Sequence, residues 1–401
     1  MRRKFAVVAA VLSVSTAAAC GSDGGTSAGD DHVIEIGAVL SLTGPFAAQG
    51  EAHLGSIKLG IDQVTKAGGI TVNGQKYTFT VTAKDSASDP AKATAGVLGM
   101  IRDEGVKFLI GPADTPSVVA AESVVTKQNV LWLAGSTFIS GRLEEKAGDP
   151  AFAKVFGTNP SAATVFPAAV NGAMQYQPDT KTAAIVWPSG AASDPYVELI
   201  EKAFTAKGVQ VVEKLRFDIA STDFSGILTK LKSSKPDIVF TGTTSGAVQA
   251  FASQAVQLGS PFGSMIVLGA TAGTGLTGDN GKPLPFPYMY IMNRGLDPYT
   301  GNPDVAQLFQ QYEQVNGKQP ALDAQLYATE FTSSINALAK AIEQAGTVDD
   351  PDAVAKALKT VSVNAGNGEV SFAQNGVLQA PIAVCELRAG NGTCKLVTPG
   401  Q

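Results

Sequence analysis

From Val33 onward, short apolar runs alternate with longer stretches in which apolar residues recur every three or four positions. The runs VIEIGAVLSL (33–42), VKFLIGP (106–112) and VLWLAGS (130–136) have the length and composition of buried strands. The stretch between the first two opens with an amphipathic helix that ends at Gly68-Gly69. This alternation predicts parallel strands joined by crossover helices on both faces of a sheet.

The pattern starts again with the strand TAAIVWP (182–188), followed by the helix DPYVELIEKAFTAKG (194–208). That helix repeats the Asp-Pro opening of the earlier helix DPAKATAGVLGMIRDEG, a typical cap with proline in the first turn. A long helix over 321–346 and an antiparallel ribbon over 369–387 come last. The fold class predicted is α/β, with two doubly wound parallel-sheet lobes.

We predict that the two lobes are interleaved along the chain, because its last segment is typical of an antiparallel ribbon and not of another first-lobe strand. We expect crossings near Thr158, Ile291 and Gly366. Lobe 1 then comprises 33–158 and 292–365, and lobe 2 comprises 159–291 and 366–401. A chain of 401 residues is long enough for two domains of ordinary size.

The composition and motifs of the chain exclude several classes of function. The chain is 44% hydrophobic and 16% charged, with a net charge of −5, so we expect a large core and no surface for nucleic acid. GTGLTG (273–278) follows a strand, but the proline-rich segment after it prevents the helix that a dinucleotide site needs. No nucleophile motif is present. We expect no enzymatic activity and no cofactor.

Histidine is scarce, with two residues in the chain. His32 falls in the expected tether, and His53 has no cysteine or histidine at metal-ligand spacing. We therefore expect no metal site, and His53 is interpreted as a partly exposed helix residue.

The first twenty residues are typical of a signal peptide, with basic MRRKF, apolar AVVAAVLSVS and small residues in TAAAC. Two processing routes are open: plain cleavage after the small residues, or lipidation of Cys20, since AAAC resembles a bacterial lipobox. We favour lipidation, which predicts an exported lipoprotein anchored to the outer face of the cytoplasmic membrane. The paired arginines also leave twin-arginine export open. Residues 21–32 are interpreted as a flexible tether.

Cys385 and Cys394 are the remaining cysteines. They flank ELRAGNGT between two apolar runs, and a hairpin centred on Ala389-Gly390 would place them directly opposite each other. A structural disulfide is expected in an oxidising compartment. The alternative is two buried thiols.

The order of several segments resembles the branched-chain amino acid binding protein family. They are GAVLSLTGPFAAQG, AGGITVNGQKYTFTVTAKDSASDPAKA, LIGP and TDFSGILTKLKSSKPDIVFTG. The resemblance implies a type I periplasmic-binding fold, in which hinge strands join two lobes and a solute is held between them. It implies an ABC permease and its ATPase as partners, and we expect a monomer. A signalling receptor of the same fold is the alternative.

Candidate contacts from the first lobe lie where strands end. Thr115 precedes Pro116 and is expected to cap a helix, alone or while also contacting the solute. Ser136 and Thr137 follow the next strand. The resemblance implies that these three positions hold the α-carboxylate and ammonium of an amino acid.

Two further first-lobe candidates are Gln49 and Asp114. By resemblance, Gln49 falls where family members contact the ligand side chain. Asp114 is expected either to face the cleft, where it would attract an ammonium or amide, or to be an exposed cap.

The second lobe departs from the family pattern. The expected aromatic after TAAIVWP is missing, since Tyr196 is shifted into the helix, and Thr271 stands where a carboxylate is expected. Thr243, Thr244 and Thr271 are the candidate contacts here. A buried ammonium without a counter-charge is costly. Either Asp114 supplies that charge, or the solute is not an α-amino acid.

Overall fold

The structure is a computed structural model. It describes residues 32–190, 193–243, 245–269, 276–278, 281–292, 303–320, 327–366, 368–388 and 391–397. The predicted signal peptide, Cys20 and nearly all of the predicted tether lie outside these ranges. Within them, no helix combines the length and the apolar character needed to cross a membrane.

The described strands are β1 (His32–Leu40), β2 (Ile70–Val72), β3 (Gln75–Asp85), β4 (Phe108–Ile110), β5 (Leu131–Ala134), β6 (Val155–Gly157), β7 (Thr182–Pro188), β8 (Gln210–Phe217), β9 (Ile238–Thr243), β10 (Ser264–Gly269), β11 (Tyr288–Met292), β12 (Ser362–Asn364), β13 (Glu369–Phe372), β14 (Leu378–Gln379), β15 (Ile382–Arg388) and β16 (Asn391–Val397). The described α-helices are α1 (Ala47–Lys66), α2 (Pro90–Arg102), α3 (Thr115–Val125), α4 (Thr137–Glu145), α5 (Ala162–Tyr176), α6 (Asp194–Ala206), α7 (Ser225–Ser234), α8 (Ser245–Gln257), α9 (Pro303–Asn316), α10 (Thr332–Ala345) and α11 (Pro351–Leu358).

The first sheet has the strand order β2-β3-β1-β4-β5-β6. Every neighbouring pair from β3 to β6 is parallel, and β2 is antiparallel to β3 at the edge. Its central strands are buried on both faces, as parallel strands covered by helices must be. In β5, Leu131 and Leu133 pack with α1, α10 and α11, whereas Trp132 packs with α2, α3 and α4.

The second sheet has the order β16-β15-β11-β10-β9-β7-β8. The five strands from β11 to β8 are parallel, with α5 and α6 on one face and α7 and α8 on the other. The α/β class with two doubly wound sheets, predicted from the sequence, is therefore confirmed.

The second sheet ends in an antiparallel pair, β15 and β16. Arg388 pairs with Asn391, so Cys385 and Cys394 lie directly opposite each other, with their sulfur atoms 2.09 Å apart. The hairpin residues Ala389 and Gly390 lie outside the described ranges. The expected facing register is confirmed, and the oxidation state of the pair in the cell stays a prediction.

The chain returns to the first sheet after β11. Helices α10 and α11 and the three-stranded sheet β12-β13-β14 all contribute to the apolar cluster on one face of the first sheet. Phe372 of β13 stacks edge-on against Phe156 of β6, with ring centroids 5.2 Å apart. The strands β13 and β14 thus pack with the first sheet, whereas the sequence predicts that residues from 366 onward belong to the second. The chain joins the second sheet at Ile382, not near Gly366.

Candidate functional site

The carboxyl ends of β3, β1, β4, β5 and β6 lie side by side at one edge of the first sheet. A polar side chain follows each of these strands within a few residues: Ser86, Ser41, Asp114, Ser136 and Thr158. All five are buried or nearly so. Because ligands of open α/β sheets bind beyond the carboxyl ends of the strands, this row, which we call the first polar edge, is the candidate site.

Asp114 is the residue that caps α3. Its Oδ1 accepts a hydrogen bond from the backbone N–H of Ser117 at 3.0 Å, and its Oδ2 accepts from the Ser41 hydroxyl at 2.9 Å. The side chain is buried, so Asp114 is not an exposed cap. The expectation that Thr115 caps the helix was wrong. An aspartate directly before it occupies that position, and Thr115 becomes the first helical residue.

Thr115 and Ser136 meet where two helices begin. The Thr115 Oγ1 lies 2.9 Å from the Ser136 Oγ, and Ser136 caps α4 by accepting from the N–H of Phe138 at 3.2 Å. Thr115 is half-buried, so part of it stays accessible. Thr137 is the first residue of α4, and its side chain is outside the described set. Two helix N-termini with hydroxyls between them form a favourable environment for an anionic group.

The loop after β1 is held by Asp85 at the end of β3. Asp85 accepts hydrogen bonds from the N–H groups of Leu42 and Thr43 and, at 2.6 Å, from the Thr43 hydroxyl. Burial alone would raise the pKa of Asp85, but these bonds and one from Ala87 outweigh it and lower the pKa. Gln49, in the first turn of α1, is half-buried, and its side chain makes no hydrogen bond to a described residue.

A second polar group, which sequence reasoning missed, lies beside the first polar edge. The interpretation of His53 as partly exposed was wrong: it is 1% exposed, and its Nε2 lies 3.0 Å from Glu330 Oε2. Glu330 Oε1 accepts from the Thr158 hydroxyl at 3.0 Å and from Asn159 Nδ2 at 2.9 Å. The two partners are 277 positions apart, so no local pattern reveals the pair.

A cluster of aromatic rings packs beside the end of β7 in the second sheet. Trp187, next to last in β7, packs edge-on against Phe166 and Tyr196, with ring centroids 5.8 and 6.3 Å away. Arg216 donates to the Pro188 carbonyl at 2.6 Å and pairs with Asp194 at 2.7 Å. The Tyr196 ring, which the sequence analysis noted as displaced into the helix, is therefore close to the end of β7.

The contacts assigned to the second-lobe threonines stay predictions. Thr243 is the last residue of β9, opposite Gly269 of β10, but its side chain is outside the described set. Thr244 and Thr271 lie outside the described residues altogether. Within the ranges that the structure describes, no group of three histidine, cysteine or acidic side chains is arranged to hold a metal ion.

Comparison with known proteins gives one family and several relatives. The model of a family described as periplasmic binding protein matches residues 33–392. A Leu/Ile/Val-binding protein homologue from Brucella melitensis is 26% identical over 356 residues, which cover 87% of this chain and 89% of the relative.

Solved structures share the fold. A solute-binding protein of an ABC transporter from R. palustris, in complex with benzoate, has a TM-score of 0.74 at 19% identity and covers 92% of this chain and 97% of its own. A leucine-binding protein from Thermotoga maritima has a TM-score of 0.72 at 19% identity, covering 91% and 99%.

Proposed function

Because the chain belongs to the periplasmic binding protein family, we propose that it captures a small polar solute, an amino acid or a related amide or carboxylate, between two closing lobes. The family comprises extracytoplasmic solute-binding proteins, which are not enzymes, and the resemblance recognised in the sequence is confirmed. Membership implies a small-molecule ligand and the permease and ATPase subunits of an ABC importer as partners. Beyond this general role, we propose a specific binding site and a class of solute.

The observation that carries the proposal is the hydroxyl pair of Thr115 and Ser136 at the adjoining starts of α3 and α4. Hydroxyls can donate to a carboxylate oxygen, and the helix N-termini add favourable electrostatic potential. Ser136 is held by its capping bond, whereas Thr115 keeps an accessible surface. The solute carboxylate is assigned to this pair, with Thr137 and Gln49 as further first-lobe contacts. Thr243 and Thr271 are proposed contacts from the second lobe.

A carboxylate is also the group that the relatives' ligands share. Leucine, isoleucine and valine carry one, as does the benzoate bound by the R. palustris protein. Asp114 is a buried cap whose two oxygens each accept one hydrogen bond, so it orders this edge. Its pairing with a solute ammonium stays a prediction.

The test replaces both hydroxyls, as Thr115→Val with Ser136→Ala. Calorimetry against amino acids, amides, and aromatic and aliphatic carboxylates should first identify the solute, which at 100 times its Kd adds about 2.7 kcal/mol to the free energy of unfolding. The double variant should bind that solute about 100-fold more weakly, a loss of about 3 kcal/mol, because it removes the charge-assisted hydrogen bond to the carboxylate and the second hydroxyl that orients its donor.

The matched control is Thr126→Val at the opposite end of α3. Its hydroxyl donates to the Glu122 carbonyl at 2.7 Å and is remote from the first polar edge. Affinity in this variant should equal that of the unaltered protein. If the double variant folds and keeps the original Kd, the solute is held elsewhere and the proposed site is wrong.

The location of the protein forms a second part of the proposal. We expect Cys20 to carry a lipid, so that the receptor leaves membranes with detergent but not with salt. Cys20→Ala should appear in the soluble fraction and lose incorporation of labelled fatty acid. Detergent-dependent retention of Cys20→Ala would contradict lipidation and leave the solute-binding proposal intact.

A further inference from the structure

The buried pair His53–Glu330 lies directly behind the loops that carry the proposed site. Glu330 is 2% exposed, and its two oxygens are divided between partners. Oε2 faces His53 of α1, and Oε1 accepts from Thr158 and Asn159, which follow β6. One carboxyl group therefore joins α1, the residues just before α10 and the crossing that leads into α5.

The same carboxyl group contacts the loop after β5. Asn159 Nδ2, which donates to Glu330, also donates to the carbonyl of Gly135 at 3.0 Å. A Cβ atom on Gly135 would lie 2.7 Å from Glu330 Oε1 and 3.0 Å from the Phe331 ring. The residue before Ser136 is thus fixed by Glu330 from one side and through Asn159 from the other.

Burying this carboxyl group is costly unless its hydrogen bonds are complete. Among the described residues, His53 is the sole basic side chain within ion-pair distance of Glu330. The rings of Tyr327 and Phe331 pack edge-on against the imidazole, with centroids 5.0 and 5.1 Å away. Because the His53–Glu330 pair is buried and surrounded by these rings, its side chains have few alternative conformations. The loops that are hydrogen-bonded to Glu330 are therefore held in one position.

We propose that Glu330, oriented by His53, is a positioning residue for solute binding. It fixes the β5–α4 loop, and with it Ser136, relative to the crossing at Thr158–Ser161, without itself touching the solute. The inference rests on the proposed site at Thr115 and Ser136. Solute affinity should therefore depend on a pair that is sealed from solvent.

The experiment compares Glu330→Ala with Glu330→Gln. Alanine removes every bond to Thr158, Asn159 and His53, and solute affinity should fall about tenfold or more as the loop loosens. Glutamine keeps an acceptor oxygen for Thr158 and Asn159 and offers an N–H to His53, so its affinity should stay within about threefold of the original. Equal losses in both variants would overturn the positioning role.

Ser56→Ala is the matched control. The Ser56 hydroxyl accepts from the N–H groups of Phe331 and Thr332 at 2.7 and 2.9 Å, so it joins the same two helices but does not touch residues 135, 158 or 159. It should lower the midpoint of unfolding while leaving the Kd within about twofold. A loss of affinity as large as that of Glu330→Ala would mean general loosening and would also overturn the proposal.

A measurement without solute separates this inference from the proposed function. Hydrogen–deuterium exchange should accelerate at residues 135–140 and 158–165 in Glu330→Ala but not in Ser56→Ala. If Glu330→Ala does not fold, Thr158→Val removes one bond to the same oxygen and should give a smaller acceleration at the same segments. Unchanged exchange in the folded variants would overturn the inference even if Thr115 and Ser136 bind the solute. Accelerated exchange with unaltered affinity would place the solute away from this edge.

Discussion

The two sheets present different chemistry at the edges where their parallel strands end. At the first polar edge, a hydroxyl or carboxyl group follows each of five strands and bonds to a neighbour in the row, to a helix start or to Glu330. Beside the end of β7 in the second sheet stand the rings of Trp187 and Tyr196 and the Arg216–Asp194 ion pair. The first edge carries short-range hydrogen bonds, whereas the end of β7 carries buried aromatic rings, which we call the aromatic wall, and one charged pair.

On the proposal that the solute lies between these two edges, the difference gives the two lobes different tasks. Hydrogen-bond donors fixed in position recognise a group that all related solutes share, such as a carboxylate. An aromatic wall instead discriminates by size and shape, and each methylene changes affinity by only a few kcal/mol. We therefore expect substitutions at the first edge to abolish binding of every solute, and substitutions in the wall to change which solute is preferred.

The largest expected effect on stability belongs to the aromatic wall. Trp187→Ala removes a ring that is 6% exposed and packs against Phe166 and Phe240, so it should lower the free energy of unfolding by about 3–5 kcal/mol in urea titrations. Tyr196→Phe, which keeps its ring, should lose far less. A loss below about 1 kcal/mol for Trp187→Ala would show that the wall is not a packed core.

Cys385 and Cys394 both lie in the second sheet, on the paired strands β15 and β16. The third cysteine of the chain is Cys20. If the bond forms, replacing Cys385 and Cys394 by serine should cost about 2–3 kcal/mol, because the bond closes a short loop in the unfolded chain. A reducing agent should lower the unfolding midpoint of the unaltered protein and leave the double variant unchanged. Equal responses would favour two buried thiols.

A methyl group added at the first edge should disturb both stability and binding. Gly135→Ala places a Cβ atom 2.8 Å from Ala113 and closer still to Glu330, which should cost about 1–3 kcal/mol and weaken solute binding. Gly141→Ala is the control, because a Cβ there meets nothing within 4 Å in the middle of α4. It should stabilise the helix by about 0.5–1 kcal/mol. Normal binding by Gly135→Ala would contradict the close packing behind Ser136.

Asp85 and Asp237 have matched roles, because each accepts hydrogen bonds from two backbone N–H groups, and acid titration can compare them. The pKa values of Asp85 and Asp237 lie below their ordinary value of 3.8, as hydrogen bonds to Thr43 and to Lys181 and Thr182 outweigh burial. Each contribution to stability is therefore complete above that value and is lost as the pH falls through the folded-state pKa.

Asp85→Ala and Asp237→Ala should each lose about 1 kcal/mol at neutral pH, and the difference from the unaltered protein should shrink as the pH falls below 3.8 through the folded-state pKa. Only Asp85→Ala should also weaken solute binding, because Asp237 bonds to the start of β7, away from the carboxyl edge. Stability deficits that do not change with pH in guanidinium titrations would contradict the assignment.

The smallest effect is expected for the ion pair beside the wall. Asp194 is 65% exposed, so Asp194→Asn should change the free energy of unfolding by less than about 1 kcal/mol, and added salt should reduce the difference. A change of several kcal/mol would mean that the second edge depends on charge as strongly as the first depends on hydrogen bonds.

The sequence predicted the features that local patterns encode. Apolar periodicity gave both sheets, and the spacing around Ala389-Gly390 gave the facing register of Cys385 and Cys394. Capping chemistry was only partly predictable. Asp114 and Thr115 are adjacent and both favour caps, and the backbone of the turn decides between them.

Features that depend on distant partners were not predictable. His53 reads as a helix residue without metal partners, and only the return of residues 327–332 to α1 buries it. The assignment of β13 and β14 to the second sheet was wrong for the same reason. An antiparallel ribbon can pack on either sheet, and its sequence does not show which neighbours it has.

The late return of α10 and α11 has a consequence for how the protein comes to be folded. They cover the face of the first sheet formed by Ile36, Phe108 and Leu133, yet they follow the whole of β7–β11 along the chain. A polypeptide synthesised amino end first therefore covers this face with α1 alone until its final quarter emerges. Such non-local closure slows folding and leaves apolar surface open to aggregation, so chaperone protection before the chain is complete would matter most for this half.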